Sequence, residues 1–205
     1  MKTNILSAKQ PHAIKLAAHA LLQGELVAFP TDTVYGLGAL VDDSHAIQQL
    51  YIVKSRPASK AIPVLIGKPA DLEIVTSQLG KYARKFADEF WPGPLTLVVT
   101  RNPSLPVALS TAQTIGVRMP DHPSALRLLN TIGPLAVTSA NLSGKSNALS
   151  AGEVLQQLDG KIPIILDGGT CPGGTPSTVV DCTGEEPHIL RQGPISLEQL
   201  ISVMN

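Results

Sequence analysis

Short apolar runs alternate with amphipathic stretches along almost the whole chain, and no other feature limits its possible folds as much. Residues 14–22 place apolar side chains at 14, 16, 17, 21 and 22, a helical spacing that Gly24 is placed to end. Residues 26–29 read as a short strand. Asp43 or Ser44 can cap a helix running to about Val53, with Ile47, Leu50 and Tyr51 on one face. Residues 62–66 read as a strand bounded by Gly67. Residues 72–79 and 82–90 predict two helices that break before Trp91-Pro-Gly-Pro94, and residues 95–99 a further strand.

The second half repeats the alternation. Strands are expected at 115–118, 135–138, 162–166 and 178–180, with one more around Ile189 and Leu190. A helix centres on 125–129, Ser150-x-x-Glu153 is a capping box for a helix to Leu158, and Ser196-x-x-Gln199 caps a final short helix. Strands and helices in this alternation specify an α/β fold. No repeat or low-complexity linker divides the chain. Its richest punctuation, Asp167-Gly-Gly-Thr-Cys-Pro-Gly-Gly-Thr-Pro176, lies between two strands and reads as an active-site loop.

At 205 residues the chain fits one domain, and its 43% hydrophobic content supports a core. Aromatics are only 3%, so that core must rest on Leu, Ile, Val and Ala. Sixteen basic and sixteen acidic residues cancel, so bulk charge gives no case for nucleic-acid or membrane affinity. Two cysteines are too few for a disulfide scaffold or a thiolate-only zinc site. Without a long apolar run, a soluble cytoplasmic protein is expected.

Four segments carry the polar chemistry. In Val27-Ala-Phe-Pro-Thr-Asp-Thr-Val-Tyr-Gly-Leu-Gly38 an apolar run opens into hydroxyls, a carboxylate and glycines, as a sheet hands over to a binding loop. Lys54-Ser-Arg56 stands at a predicted helix C-terminus, where charge can simply complement the helix dipole. Pro57 and the nearby Lys60 suggest instead a turn that gathers cations for phosphate oxygens. Ser139-Ala-Asn141 and Pro176-Ser-Thr-Val-Val180 again set hydroxyls and an amide at the margins of apolar runs. Arg118 and Arg191 are either surface residues or anion ligands.

Several familiar sites are missing. There is no G-x-x-x-x-G-K-[ST] loop, no dinucleotide fingerprint and no G-x-S-x-G elbow. The five histidines are scattered, and Cys171, Cys182 and His188 make a poor metal set. No residue stands out as a covalent nucleophile, which suits a reaction run by positioning and charge neutralisation.

Taken in order, Phe29 to Gly38, Lys54-Ser-Arg-Pro57, Trp91-Pro-Gly-Pro-Leu-Thr96, Val117-Arg-Met-Pro120, Ser139-Ala-Asn-Leu-Ser-Gly144, Pro176-Ser-Thr-Val-Val-Asp181 and Arg191-Gln-Gly193 resemble the motifs of the YrdC-like threonylcarbamoyl-AMP synthases. The resemblance covers nearly the whole chain. It implies a single YrdC-like domain over 1–205, with a twisted mixed sheet flanked by helices around a central basic cavity. The implied reaction joins L-threonine, bicarbonate and ATP into L-threonylcarbamoyladenylate and pyrophosphate, with Mg²⁺ accompanying ATP and no protein metal site. The implied partner is a tRNA threonylcarbamoyl transferase complex, and a weak affinity for tRNA or other RNA goes with it.

Residue by residue, the resemblance assigns Lys54, Arg56, Ser139 and Asn141 to catalysis at the ATP phosphates. Lys60, Thr114 and Arg191 join Arg56, Ser139 and Asn141 on the nucleotide side. Thr33, Leu65, Arg118 and Ser177 fall on the threonine side. Two departures stand out. Ser55 replaces the glycine of the usual Lys-Gly-Arg-Pro, and Leu65 stands where many members have a histidine. Leu65 can line the pocket or point into the core, because one residue of register flips a strand side chain. The chain stops at Asn205 and reads as the short form. The rival reading is a module that binds double-stranded RNA or tRNA without making an adenylate. A related carbamoyl-adenylate enzyme of hydrogenase maturation would need a much larger chain with zinc-finger segments.

Overall fold

The computed structural model describes residues 2–204. Eleven strands and seven α-helices follow one another in it: β1 (Asn4–Ser7), α1 (Pro11–Leu22), β2 (Val27–Phe29), β3 (Gly36–Leu40), α2 (Ser44–Lys54), β4 (Val64–Leu65), α3 (Leu72–Val75), β5 (Thr76–Gln78), α4 (Lys81–Phe90), β6 (Leu95–Arg101), β7 (Thr114–Arg118), α5 (Pro123–Ile132), β8 (Leu135–Ser139), α6 (Ala151–Leu158), β9 (Ile164–Asp167), β10 (Thr178–Asp181), β11 (His188–Arg191) and α7 (Leu197–Met204). A short 3-10 turn, Pro69–Asp71, leads into α3.

The strands form one mixed sheet in the order β1-β9-β2-β3-β8-β4-β7-β6-β10-β11, with β5 added beside β6. Strands β1, β9 and β2 are parallel, as are β4 with β7 and β6 with β10. The central β2-β3-β8-β4 run is antiparallel. This is the α/β architecture expected from the alternation, a sheet flanked by helices.

Strand alternation sorts the core into two layers. Val27, Phe29, Leu65, Leu135, Val137 and Leu166 face α1 and α5, whose Ala13, Ala17, Leu21, Ala125, Leu128 and Leu129 complete one buried cluster. Ala28, Leu37, Ala39, Val64, Leu97, Val99, Val117 and Val180 face the other way, against α2, α4, α6 and α7. Helices α1 and α5 pack on the half of their face built from β1, β9, β2, β3 and β8. Over β7, β6 and β10 the same face is left to Thr96, Val98, Gly116, Arg118, Ser177 and Val179, which line a cavity.

The caps follow the sequence. Asp43 accepts from the backbone N–H groups of His45 and Ala46 at the start of α2. Ser150 accepts from Glu153 N, while the Glu153 carboxylate takes the N–H of Leu149 rather than that of the cap itself. Ser196 and Gln199 cap each other reciprocally.

Two expectations need correction. Residues 72–79 are not one helix: α3 stops at Val75 and the chain turns into β5, an edge strand antiparallel to β6. Thr76 Oγ1 lies 2.6 Å from Thr100 O and 2.8 Å from Gln78 O, so its hydroxyl anchors the edge pairing that wins over helix continuation. The glycines of Gly36–Leu40 are not loop residues either, because this segment is β3, inside the sheet. A Cβ at Gly36 would lie 2.7 Å from Val137 Cγ1, and one at Gly38 2.9 Å from Phe29 Cε1. These glycines let the Phe29 ring and Val137 lie flat across the strand.

Candidate functional site

The cavity over β7, β6 and β10 has a volume of about 380 Å³, within the range of small-molecule sites. Thr31, Thr33 and Val34 enclose it from the turn after β2; Arg56 and Ala61 from the turn after α2; Pro176 and Ser177 from the loop before β10. Thr138, Ser139 and Asn147 come from β8 and the loop that follows, and Arg191 from β11. Of the residues expected at the site, Thr33, Arg56, Leu65, Arg118, Ser139, Ser177 and Arg191 converge here. Lys54, Lys60, Thr114 and Asn141 lie outside the lining. Leu65 both lines the cavity and belongs to the α1/α5 cluster, so it stands at the boundary of pocket and core.

The turn after β2 is built by Thr31. Its hydroxyl lies 2.7 Å from Val34 O and accepts from Thr33 N at 3.1 Å, a local side-chain turn. Thr33 Oγ1, 3.0 Å from Thr31 Oγ1, accepts from Arg118 Nη1 at 2.9 Å. Arg118 also donates through Nε to Gly93 O at 2.9 Å and through Nη2 to the Asp32 carboxylate. Burial pushes this guanidinium's pKa down, and the Asp32 carboxylate offsets part of that. Asp32 Oδ1 accepts a further bond from Asp121 N at 3.1 Å, while Oδ2 is buried without a partner.

The glycine-rich loop after β9 closes over this turn. Gly174 N donates to Thr33 O at 2.9 Å, and Tyr35 OH donates to Gly169 O at 2.8 Å. Gly173 packs directly on the backbone: a Cβ there would lie 2.6 Å from Asp32 O and 3.1 Å from Thr33 Cα. Asp32 and Gly173 are the positions shaping this turn that sequence reasoning missed. The first stands inside the Thr-Asp-Thr run, but nothing in the sequence pairs it with an arginine 86 residues away.

Lys54 lies behind the cavity wall, beside the cavity-lining Ser139. It is 2% exposed, and its ammonium donates to the carbonyl oxygens of Ser139 and Asn141, with Asn141 Oδ1 at 3.4 Å. Ser143 N in turn donates to Lys54 O at 2.9 Å. Lys54 thus ties the end of α2 to the loop after β8, and its ammonium has three oxygens around it. Burial, aided by the Arg56 charge, lowers its pKa to about 7. Asn141 Nδ2 donates to Lys145 O at 2.7 Å and to Leu142 O at 3.0 Å, so Asn141 fixes the same loop.

Arg56 follows Ser55, a non-glycine residue with φ of 51° that closes α2 in the left-handed conformation. The reversed turn sends Arg56 towards the cavity, where Nη2 donates to Ala61 O at 2.8 Å and Nε to Lys60 O at 3.3 Å. Lys60 itself is exposed. Thr114 opens β7 opposite Thr100, two residues beyond the cavity-lining Gly116 on the same face. Arg191 donates to Ser177 O at 2.8 Å from Nη2 and 3.1 Å from Nε.

Among the described residues, no group of three His, Cys, Asp or Glu side chains is placed to hold a metal ion. Among them, too, no helix is long and apolar enough to cross a membrane.

Comparison with known proteins decides the kinship. The model of the Sua5/YciO/YrdC family, described as "Telomere recombination", matches residues 19–193. The chain belongs to this family. It is 41% identical over 193 residues to the threonylcarbamoyl-AMP synthase of Pyrococcus abyssi, covering 93% of this chain and 57% of that protein. To the threonylcarbamoyl-AMP synthase of Bacillus subtilis it is 41% identical over 205 residues, covering 98% of this chain and 59% of the relative. The solved structure of P. abyssi Sua5 complexed with L-threonine superposes with a TM-score of 0.91 at 40% identity, over 93% of this chain and 57% of that one. The chain thus spans less than two thirds of the length of these relatives.

Proposed function

We propose that this chain makes L-threonylcarbamoyladenylate and pyrophosphate from L-threonine, bicarbonate and ATP. The observation that carries the reading is the convergence of Arg56, Arg118 and Arg191 with Thr33, Ser139 and Ser177 on one cavity. The names of the P. abyssi and B. subtilis relatives support it, as does the L-threonine complex of the matched Sua5.

In this reading the cavity is the basic pocket of a domain that spans the chain. Arg118, braced by Asp32, grips the threonine carboxylate beside Thr33, because a planar guanidinium suits a carboxylate. Arg56 and Arg191 face the ATP phosphates, whose charge grows as pyrophosphate leaves. Ser139 and Asn141 shape the wall next to them, and Lys54 acts by holding that wall. Lys60 and Thr114, outside the cavity, serve the nucleotide from its rim.

Mg²⁺ enters as part of MgATP. Among the described residues no group of three His, Cys, Asp or Glu side chains is gathered for it, and Mg²⁺ commonly binds through substrate phosphates and waters. Threonine is N-carboxylated, and the carbamate oxygen attacks the α-phosphorus. The product passes to a tRNA threonylcarbamoyl transferase complex in the cytoplasm. The RNA-module reading draws little support: the chain has no net charge, and the Arg118 guanidinium is buried rather than displayed.

The test is pyrophosphate release in the presence of MgATP, L-threonine and bicarbonate. Release that requires all three sustains the reading, and release indifferent to threonine and bicarbonate rejects it.

A further inference from the structure

The hydroxyl pair on the cavity floor has a proton left over. Thr96 Oγ1 and Ser177 Oγ are 2.8 Å apart, and both are buried, at 7% and 5% exposure. Arg191 Nη2 donates to Ser177 Oγ at 3.2 Å, filling one of its acceptor positions. Two hydroxyls have two hydrogens and share a single bond between them. Whichever donates, the other hydroxyl keeps its hydrogen, and both side chains line the cavity.

Which of the two protons is free depends on what enters. An anionic oxygen favours the arrangement in which Thr96 and Arg191 both donate to Ser177. Ser177 then turns its own hydrogen outward as a polarised donor. Local packing holds Thr96 for this task. A Cβ on Gly116 would lie 3.1 Å from Thr96 Cγ2 and 3.3 Å from Pro63 Cβ, so the glycine leaves room for the threonine methyl. The strand pairing of Thr96 with Val179 fixes its backbone beside Ser177.

We propose that Thr96 is a positioning residue: by donating to Ser177 it commits the Ser177 proton to a carboxylate-type oxygen of the substrate. The inference rests on the reading under Proposed function, in which that oxygen belongs to threonine or its carbamate. Ser177 touches the ligand, and Thr96 acts through it.

Two variants of the full chain test this. Thr96→Val keeps the shape and removes the hydroxyl, while Thr96→Ser keeps the hydroxyl. Pyrophosphate release should show KM for threonine raised about fivefold in Thr96→Val, the scale of one neutral hydrogen bond that orients and polarises Ser177, with KM for ATP little changed. Thr96→Ser should restore most of the threonine KM. An unchanged threonine KM in a folded Thr96→Val overturns the proposal, and so does equal damage to both substrates without rescue by serine. If the unaltered protein shows no threonine-dependent release, the proposed function fails instead. The hydroxyl pair is then read by titrating acetate and following the backbone amide signals of Ser177 and Thr178. Acetate binding weakened in Thr96→Val and recovered in Thr96→Ser sustains the proposal, and identical binding in all three overturns it.

Discussion

Arg118 reaches from the end of β7 to the carboxylate of Asp32, and the pair fixes the turn after β2 against the cavity wall. The side chains are 7% and 12% exposed, so neither charge is left to water. One atom of the pair, Asp32 Oδ2, has no partner.

Arg118→Ala should therefore act on fold and ligand together. Removing one member of a buried pair leaves the other uncompensated and typically costs about 3–5 kcal/mol. Denaturant melts should show a loss of that order, and Asp32→Asn a smaller one. Under the proposed function, calorimetry on the folded fraction should find threonine binding weakened more than ATP binding. A loss confined to ATP would move Arg118 to the nucleotide side.

Arg56→Ala should weaken ATP binding by about tenfold or more, the scale of a charge-assisted phosphate contact, while leaving stability within about 1 kcal/mol. Arg56 lines the cavity, and its guanidinium donates to the backbone carbonyls of Lys60 and Ala61. Unaltered ATP kinetics would return it to the role of a turn residue.

Lys54 should show itself in stability rather than in phosphate binding. Its pKa falls from the ordinary 10.5 to about 7 on folding, through burial and then the Arg56 charge. Between those values the unfolded chain binds more protons than the folded one, so stability should rise as pH climbs from about 7 towards 10. The surrounding oxygens favour the charged form and reduce that slope. Unfolding midpoints from about pH 7 to about pH 9 should increase, and Lys54→Met should flatten the increase. A wild-type midpoint that does not move across this range would mean that the carbonyls hold the ammonium fully charged.

Ser55→Gly should stabilise the protein by about 1 kcal/mol, less the extra freedom glycine gives the unfolded chain. Ser55 sits at φ of 51°, the conformation in which helices most often end on glycine. This also accounts physically for the glycine usual in the resembling motif. A thermal melt that shifts downward would contradict it.

Leu65→Ala should lower the preference for threonine over serine, if the proposed substrate is right. Leu65 lies on the cavity wall, and one methyl contact is worth about 1–3 kcal/mol, or roughly tenfold and upwards in kcat/KM. A ratio unchanged in the folded variant assigns Leu65 to the core alone.

Most helices and strands were legible because each follows from local spacing and a cap. Asp43, Ser150 and Ser196 begin their helices where the sequence places them. The failures share one cause, a partner distant in sequence. Residues 72–79 suit a helix in isolation, but β6 offers an edge that draws Thr76–Gln78 into the sheet. Gly36 and Gly38 read as flexibility until Phe29 and Val137 are seen filling their missing side chains. The site was legible as a set of polar segments. How they divide was not: Lys54 and Arg56 are two residues apart, yet one is buried under carbonyls and the other lines the cavity.

Gly173 makes one atom's worth of space decisive. Its hydrogen lies where any other residue would press a carbon into the backbone of Asp32 and Thr33. Random mutagenesis scored by loss of activity would flag this position as strongly as a ligand contact, although Gly173 is not part of the cavity lining. A map of intolerant positions on this chain would therefore trace a mould as well as a binding site, and telling the two apart requires knowing which residues lack a side chain for want of room.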